Sequence, residues 1–207
     1  MILFKGRSYR KQYNPMKPIK IGYKVWCLAD SKSGYVLTFA IYTGKSNSSP
    51  SPGDTLGEWI VINLSVHLRN TGVLVTFDNF FMSINLMNEL RTRKIYAVGA
   101  VRNNRKGLSG ALKEKTKMNR GEYTYKTKGC VAANKRINSM PVFMLTNVNN
   151  PAAVTSVNRK NKDGTKSTVP CPAAISHYNT RIGAVHRFDQ FRERYAIGRF
   201  TLKKYSE

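Results

Sequence analysis

Residues 73–101 read VLVTFDNFFMSINLMNELRTRKIYAVGAV, and this stretch decides the fold class. Val73–Phe77 is a short apolar run ending on Asp78, the pattern of a buried strand. Ser83 is suited to cap a helix running to Arg93, with Ile84, Leu86, Met87 and Leu90 turned inward. Ile95–Val101 reads as another strand. Strand, helix and strand in succession predict a mixed α/β domain.

Towards the N-terminus lies a second unit. Ile21–Leu28 reads as one strand and Tyr35–Tyr42 as another, joined across the turn signal Ser31-Lys32-Ser33-Gly34 into a hairpin. Residues 43–54, rich in Gly, Ser, Asn and Pro, read as a loop, and Glu58–Leu68 as a helix. Residues 1–20 are basic and irregular. Towards the C-terminus, residues 102–120 form a basic connector with seven Lys or Arg and one acid, Glu114. Tyr123–Tyr125 and Cys130–Ala133 are weak strand signals suggesting a hairpin, and Met140–Val148 holds a strong strand. Residues 155–172 read as basic and turn-rich, and Ala173–Arg194 as a helix interrupted near Gly183. No internal repeat is visible.

Of 207 residues, 35 are Lys or Arg and 11 are Asp or Glu, a net charge of +24. Such an excess repels itself in a compact chain, and a polyanionic partner relieves it. Nucleic acid is the leading candidate, and no basic amphipathic helix argues for a lipid surface. No apolar run approaches the roughly 18 residues of a membrane span. Cys27, Cys130 and Cys171 are sparse and odd in number, which fits a reducing compartment and no disulfide framework. Without a CxxC pair or a Cys/His cluster, a zinc site is not expected.

The scarce carboxylates narrow the chemistry. The aspartates are Asp30, Asp54, Asp78, Asp163 and Asp189. Asp54 and Asp163 sit beside glycines in turn-like sequence. Asp30 and Asp78 each end an apolar strand, where a carboxylate must be paired, solvated or holding a cation. Side by side, two such strands would bring both to one sheet edge. That arrangement suits two Mg²⁺ ions about 3.5–4 Å apart, which activate water for phosphodiester cleavage. The plainer alternative is that Asp30 opens its turn and Asp78 caps the next helix. The pattern leaves both open.

Several segments, in order, resemble the piggyBac transposase catalytic domain. They are Phe4-Lys5-Gly6-Arg7 with Lys17–Lys24, Ala29-Asp30-Ser31-Lys32-Ser33-Gly34-Tyr35, Tyr42-Thr43-Gly44-Lys45 and Phe77-Asp78-Asn79-Phe80-Phe81-Met82-Ser83. Arg120-Gly121-Glu122-Tyr123, Pro141–Leu145 and Lys162-Asp163-Gly164 through Pro172 continue the match over nearly the whole chain. The resemblance implies an RNase H-like mixed sheet flanked by helices, with a β-rich basic insertion. In that scheme residues 1–101 are the first half of the core, 102–139 the insertion, and 140–207 the later strand and third-motif helix. It further implies Mg²⁺, DNA as partner, a homodimer as the assembly, no membrane, and the nucleus as location. The N-terminal region, the completion of the catalytic domain and the cysteine-rich zinc-binding end of such proteins are expected to lie outside these residues.

The third motif departs from the family. Where the family has Gly-Gly-Val-Asp, two residues and Asp-Gln, this sequence has Gly183-Ala184-Val185-His186-Arg187-Phe188-Asp189-Gln190. The resemblance therefore gives Asp30, Asp78, His186 and Asp189 as catalytic positions, and Asp30, Asp78 and Asp189 as the metal carboxylates. A neutral imidazole offers one nitrogen where Mg²⁺ prefers oxygen, so metal affinity should fall. Asp189 lies one helical turn on and could partly compensate. Arg136 and Asn138 stand where the family carries Trp and Asp, a second departure read as decay. His67 and His177 are given no chemistry, Trp26 and Trp59 are read as core, and Phe80 and Phe81 as packing behind the site. Three functions compete: a DNA-cleaving transposase domain, a derived module that binds DNA without cutting, and an unrelated basic nucleic-acid-binding protein.

Overall fold

In the computed structural model the described residues are 1–44, 55–113, 118–148, 150–160 and 164–195. Asp54, Asp163, Glu114 and most of the expected 43–54 loop lie outside them.

The strands are β1 (Ile2–Leu3), β2 (Gln12–Tyr13), β3 (Ile21–Tyr23), β4 (Val25–Ala29), β5 (Val36–Ile41), β6 (Leu74–Phe77), β7 (Tyr96–Val101), β8 (Tyr123–Lys128), β9 (Val131–Ile137), β10 (Pro141–Thr146), β11 (Val154–Lys160) and β12 (Lys166–Pro172). The helices are α1 (Leu56–Leu64), α2 (Ile84–Thr92), α3 (Gly110–Lys113), α4 (Ala173–Arg181) and α5 (Ala184–Arg194), with a 3-10 turn at Val66–Leu68.

A five-stranded sheet of order β6-β7-β10-β9-β8 forms the centre. The β6–β7 pair is parallel, and the other pairings in this sheet are antiparallel. The crossover between β6 and β7 is α2, as residues 73–101 predicted. Ser83 caps it by accepting a hydrogen bond from the Leu86 amide at 3.0 Å. Leu86, Met87 and Leu90 of α2 are buried against Val75, Phe77, Ala97, Val101 and Leu145 on one face of the sheet. On the other face Val98 and Met144 meet Cys171, Ala174 and Ile175 from the end of β12 and from α4. With both faces covered, β7 must be apolar throughout, which explains its unbroken YAVGAV. Gly99 stands directly opposite Phe77, and a Cβ there would strike the Phe77 carbonyl and the Met82 methyl. Only glycine lets β6 and β7 approach so closely.

Residues 102–139, expected as a basic insertion, supply α3 and the β8–β9 hairpin, and β9 hydrogen-bonds to β10 within the central sheet. Three other expectations change. Ile21–Leu28 is two strands: β3 pairs with β1 and β2, while β4 pairs with β5. Residues 1–20, read as irregular, contribute β1 and β2. Residues 155–172, read as turn-rich, form the antiparallel β11–β12 hairpin, with Pro170 and Pro172 on a strand that pairs on one side. The break in the last helix falls at Gly183, as expected.

Candidate functional site

Asp30 follows β4 and opens the turn to β5. Its Oδ2 accepts hydrogen bonds from the Ser33 hydroxyl at 2.6 Å, the Ser33 amide at 2.7 Å and the Lys32 amide at 3.2 Å. The Gly34 amide returns to the Asp30 carbonyl at 2.9 Å, and Gly34 takes φ +78°, which a side chain would resist. The Ser33 hydroxyl, then the Ser33 and Lys32 amides, hold the Asp30 carboxyl below the usual carboxylate range. The plainer reading of Asp30 as a turn-former is therefore correct as local structure.

A titration follows from this. Because the folded-state value is depressed, the turn's preference for ionised Asp30 is complete above the ordinary carboxylate pKa and is lost as pH falls through the depressed one. In Ser33→Ala the Asp30 carboxyl should titrate at higher pH than in the parent chain. Carboxyl ¹³C shifts across an acid titration measure it; an unmoved Asp30 midpoint would refute the assignment.

Asp78 is exposed at the end of β6. Its Oδ1 accepts from the Asn79 amide at 2.6 Å, and its carbonyl accepts from the Phe81 amide at 3.1 Å. It does not cap α2; Ser83 does. Two arginines of the basic connector hold the loop that follows Asp78. Arg105 Nη2 donates to the carbonyls of Asn79 at 2.8 Å and Phe80 at 3.2 Å, and Arg102 Nε donates to Asn79 Oδ1 at 3.3 Å. The start of α1 presses on the same loop. A Cβ on Gly57 would lie 2.9 Å from the Phe80 carbonyl. Buried Glu58 accepts from the Thr55 amide and from the Ser83 hydroxyl, tying the starts of α1 and α2 together.

The third motif lies on α5. His186 is exposed on its first turn. Arg187 Nη1 donates to the Ser31 carbonyl at 3.2 Å and to the Lys32 carbonyl. A Cβ on Gly34 would stand 3.2 Å from Arg187 Cβ, so the start of α5 rests on the Asp30 turn. Asp189 is half-buried and pairs with Arg192 at 3.4 Å. Burial first, and then the Asp189 charge, push the Cys27 thiol on β4 upward.

The structure thus joins the first and third motifs through Arg187, and the first and second through aromatic rings. Trp26 of β4 stacks on Phe80 (5.4 Å between centroids, 17° between planes) and meets Phe81 edge-on at 5.4 Å. Lys24 sets its ammonium 4.1 Å from the Trp26 ring, 5.4 Å from Phe80 and 5.6 Å from Tyr42. Burial and then the charge of Lys17 lower the Lys24 pKa. The two strand ends are not side by side, contrary to the sequence reading. Among the described residues β4 is hydrogen-bonded to β5 and β6 to β7, so Asp30 and Asp78 do not end adjacent strands of one ladder. Side-chain packing, rather than backbone pairing, brings the hairpin to the Asp78 loop. Asp78 also faces α4, where burial and then its charge raise the Tyr178 pKa.

Sequence reasoning missed the residues that hold this region: Lys24, Glu58, Arg102 and Arg105. Arg102 and Arg105 reach partners more than twenty positions back, and no spacing rule marks them; Glu58 does carry a signal, the Thr55-x-x-Glu58 capping box, which went unread. As metal donors, Asp30 and Asp78 offer the oxygens Mg²⁺ takes, whereas His186 does not. Among the described residues no three His, Cys, Asp or Glu side chains form a group that could hold a metal ion.

Comparison with known proteins places these features. A family model described as Transposase IS4 matches residues 1–207. PiggyBac transposable element-derived protein 2 of Homo sapiens is 30% identical over 209 residues, covering 97% of this chain and 35% of that protein. PiggyBac transposable element-derived protein 3 of Homo sapiens is 30% identical over 218 residues, covering 100% of this chain and 36% of its own length. The chain therefore spans about a third of the length of these curated relatives. Among solved structures, the cryo-EM structure of the piggyBac transposase synaptic complex with hairpin DNA matches with a TM-score of 0.78 at 27% identity, over 92% of this chain and 38% of that one.

Proposed function

The chain belongs to the piggyBac transposase family, and from that premise we propose that it is a transposase-derived DNA-binding domain whose metal-dependent cleavage is impaired. The charge carries the binding half of this reading. Eleven carboxylates cannot neutralise 35 cations, and the solved relative is a complex with DNA. His186 carries the other half, since it puts a nitrogen where the family places a carboxylate. The location proposed is the nucleus, and the assembly proposed is a homodimer.

We read the fold as RNase H-like. The mixed central sheet with its parallel β6–β7 pair, the cover on both its faces, and the β4–β5 hairpin packed on the Asp78 loop through Trp26 support this reading. By resemblance Asp30, Asp78 and Asp189 stand at the positions that would hold Mg²⁺, which when bound supplies water activation and stabilises the leaving oxygen; that they form no single group among the described residues agrees with the impairment. Arg102 and Arg105 hold the Asp78 loop, and Arg187 holds the Asp30 turn, so each carboxylate sits on a fixed segment.

The test is nicking of supercoiled DNA in Mg²⁺ or Mn²⁺, with Mn²⁺ affinity measured separately. The parent chain should bind DNA and leave it intact. His186→Asp should tighten Mn²⁺ binding by about tenfold or more, since even residues that only orient metal ligands are worth about 10–100-fold. Nicking by the parent chain that disappears in Asp78→Ala would overturn the impairment.

A further inference from the structure

A second feature adjoins the Asp78 loop. An open cleft of about 760 Å³ lies between Asn79, the segment Val101–Asn104 that leaves β7, and the end of β9 with the start of β10. It opens beyond the carboxyl ends of the parallel strands β6 and β7, where α/β sheets bind their ligands. Its volume is that of a site for one small molecule, within the range of about 300–1,000 Å³. A stacked base pair within a duplex cannot enter such a space.

The lining divides by chemistry. Arg102, Lys113 and Lys135 supply positive charge, and among the described residues no carboxylate lines the cleft. Lys135 is only 3% exposed, with its ammonium 5.9 Å from the Phe143 ring, so this cation is built into the wall. Asn103 and Asn104 are exposed amides, able both to donate and to accept. Met140, 73% exposed, gives the opposite wall a soft apolar surface suited to an aromatic face. A bare phosphate would call for donors alone, and an apolar ligand would not call for three cations. Cations, amides that both donate and accept, and an apolar wall together match the three parts of a nucleotide: phosphate, base edge and base face.

We propose that this cleft receives a single unpaired nucleotide of the bound DNA, extruded from its stack beside the Asp78 loop. This rests on the DNA-binding reading above and specifies which form of DNA is preferred. Extrusion costs least where the base is already unpaired, so the cleft should favour a bulged or looped strand over a perfect duplex.

The experiment compares a matched duplex with the same duplex carrying one 2-aminopurine bulge, using the full chain. The bulged DNA should bind about tenfold more tightly, with a change in 2-aminopurine emission on binding. The triple variant Asn103→Ala, Asn104→Ala, Met140→Ala alters exposed or apolar rim positions. It should abolish both the preference and the emission change and leave duplex affinity where it was. A free deoxynucleoside monophosphate should displace the emission signal without releasing the duplex. Duplex binding without a preference for the bulge overturns this inference alone, as does a preference that survives the triple variant. An equal loss on both DNAs reduces the cleft to one more phosphate contact and also overturns it. Failure to bind either DNA overturns the DNA-binding reading itself.

Discussion

Raising the salt from about 50 to 200 mM should weaken binding of this chain to duplex DNA by about 10³–10⁵-fold, the loss expected when some 6–10 phosphates are neutralised. The charge balance sets the scale, with 35 cations against 11 acids. The fold then sorts those cations. Arg102 and Arg105 of the connector are engaged with Asn79 and Phe80, which makes them scaffold for the Asp78 loop. Lys126 and Lys128 on β8, Lys160 on β11 and Lys166 on β12 are exposed, as are Arg7, Arg10, Lys17 and Lys20 near the N-terminus. The lysines among them are flexible point charges on strands and turns, suited to phosphates and not to base edges. Affinity should therefore depend steeply on salt and little on sequence. Fluorescence anisotropy over a salt series gives the slope of log K against log salt, about −0.9 for each phosphate neutralised. A slope shallower than about −2 would mean that the charge excess serves something other than duplex DNA.

How far the sequence foretold this arrangement varies with the kind of contact. The β6–α2–β7 unit was legible because burial on one helical face, a serine cap and a two-sided apolar strand each leave a local pattern. The break between α4 and α5 was legible for a similar reason, since glycine marks it. The change of partner at Lys24 was not. An apolar run looks the same whether it pairs along its length or leaves one sheet for another. The β11–β12 hairpin was obscured by lysines and prolines that suggest turns, although its alternation of exposed and half-buried residues is regular. The positions of Asp30 and Asp78 just after β4 and β6 were legible because strand ends are visible in sequence. The residues that fix them were not, because Arg105 reaches back 26 positions to Asn79 and Arg187 reaches back 156 to Ser31.

Arg136 is the sharpest case of a residue whose sequence reading and structural setting differ, and Arg136→Ala should destabilise the chain by about 3 kcal/mol. In sequence it stands where the family carries another residue, which suggested decay. In the structure it is fully buried at 0% exposure near the end of β9. Its Nη2 donates to the Pro170 carbonyl at 2.8 Å, and longer contacts of 3.5 Å reach Cys171 Sγ and the Gly121 carbonyl. The side chain thereby ties the central sheet to the β11–β12 hairpin where a proline at 170 has no amide to offer. Alanine would leave the Pro170 carbonyl without its donor, at about 1–3 kcal/mol, and would add the cost of a cavity. One effect opposes this. Arg159 lies close enough that burial, and then the Arg136 charge, lower its pKa, so removing Arg136 relieves some repulsion. That relief should be the smaller effect, because Arg159 is half-exposed and screened by solvent. The variants separate the contributions. Arg136→Met keeps much of the volume and loses the hydrogen bonds, so it should fall between the parent and Arg136→Ala. For a chain of this size about 3 kcal/mol corresponds to a fall in Tm of roughly 6–12 °C. Thermal or urea unfolding of the three proteins reads the order directly. If Arg136→Met proved more stable than the parent, the buried guanidinium would be a burden that the hairpin tolerates, and its position would reflect decay after all.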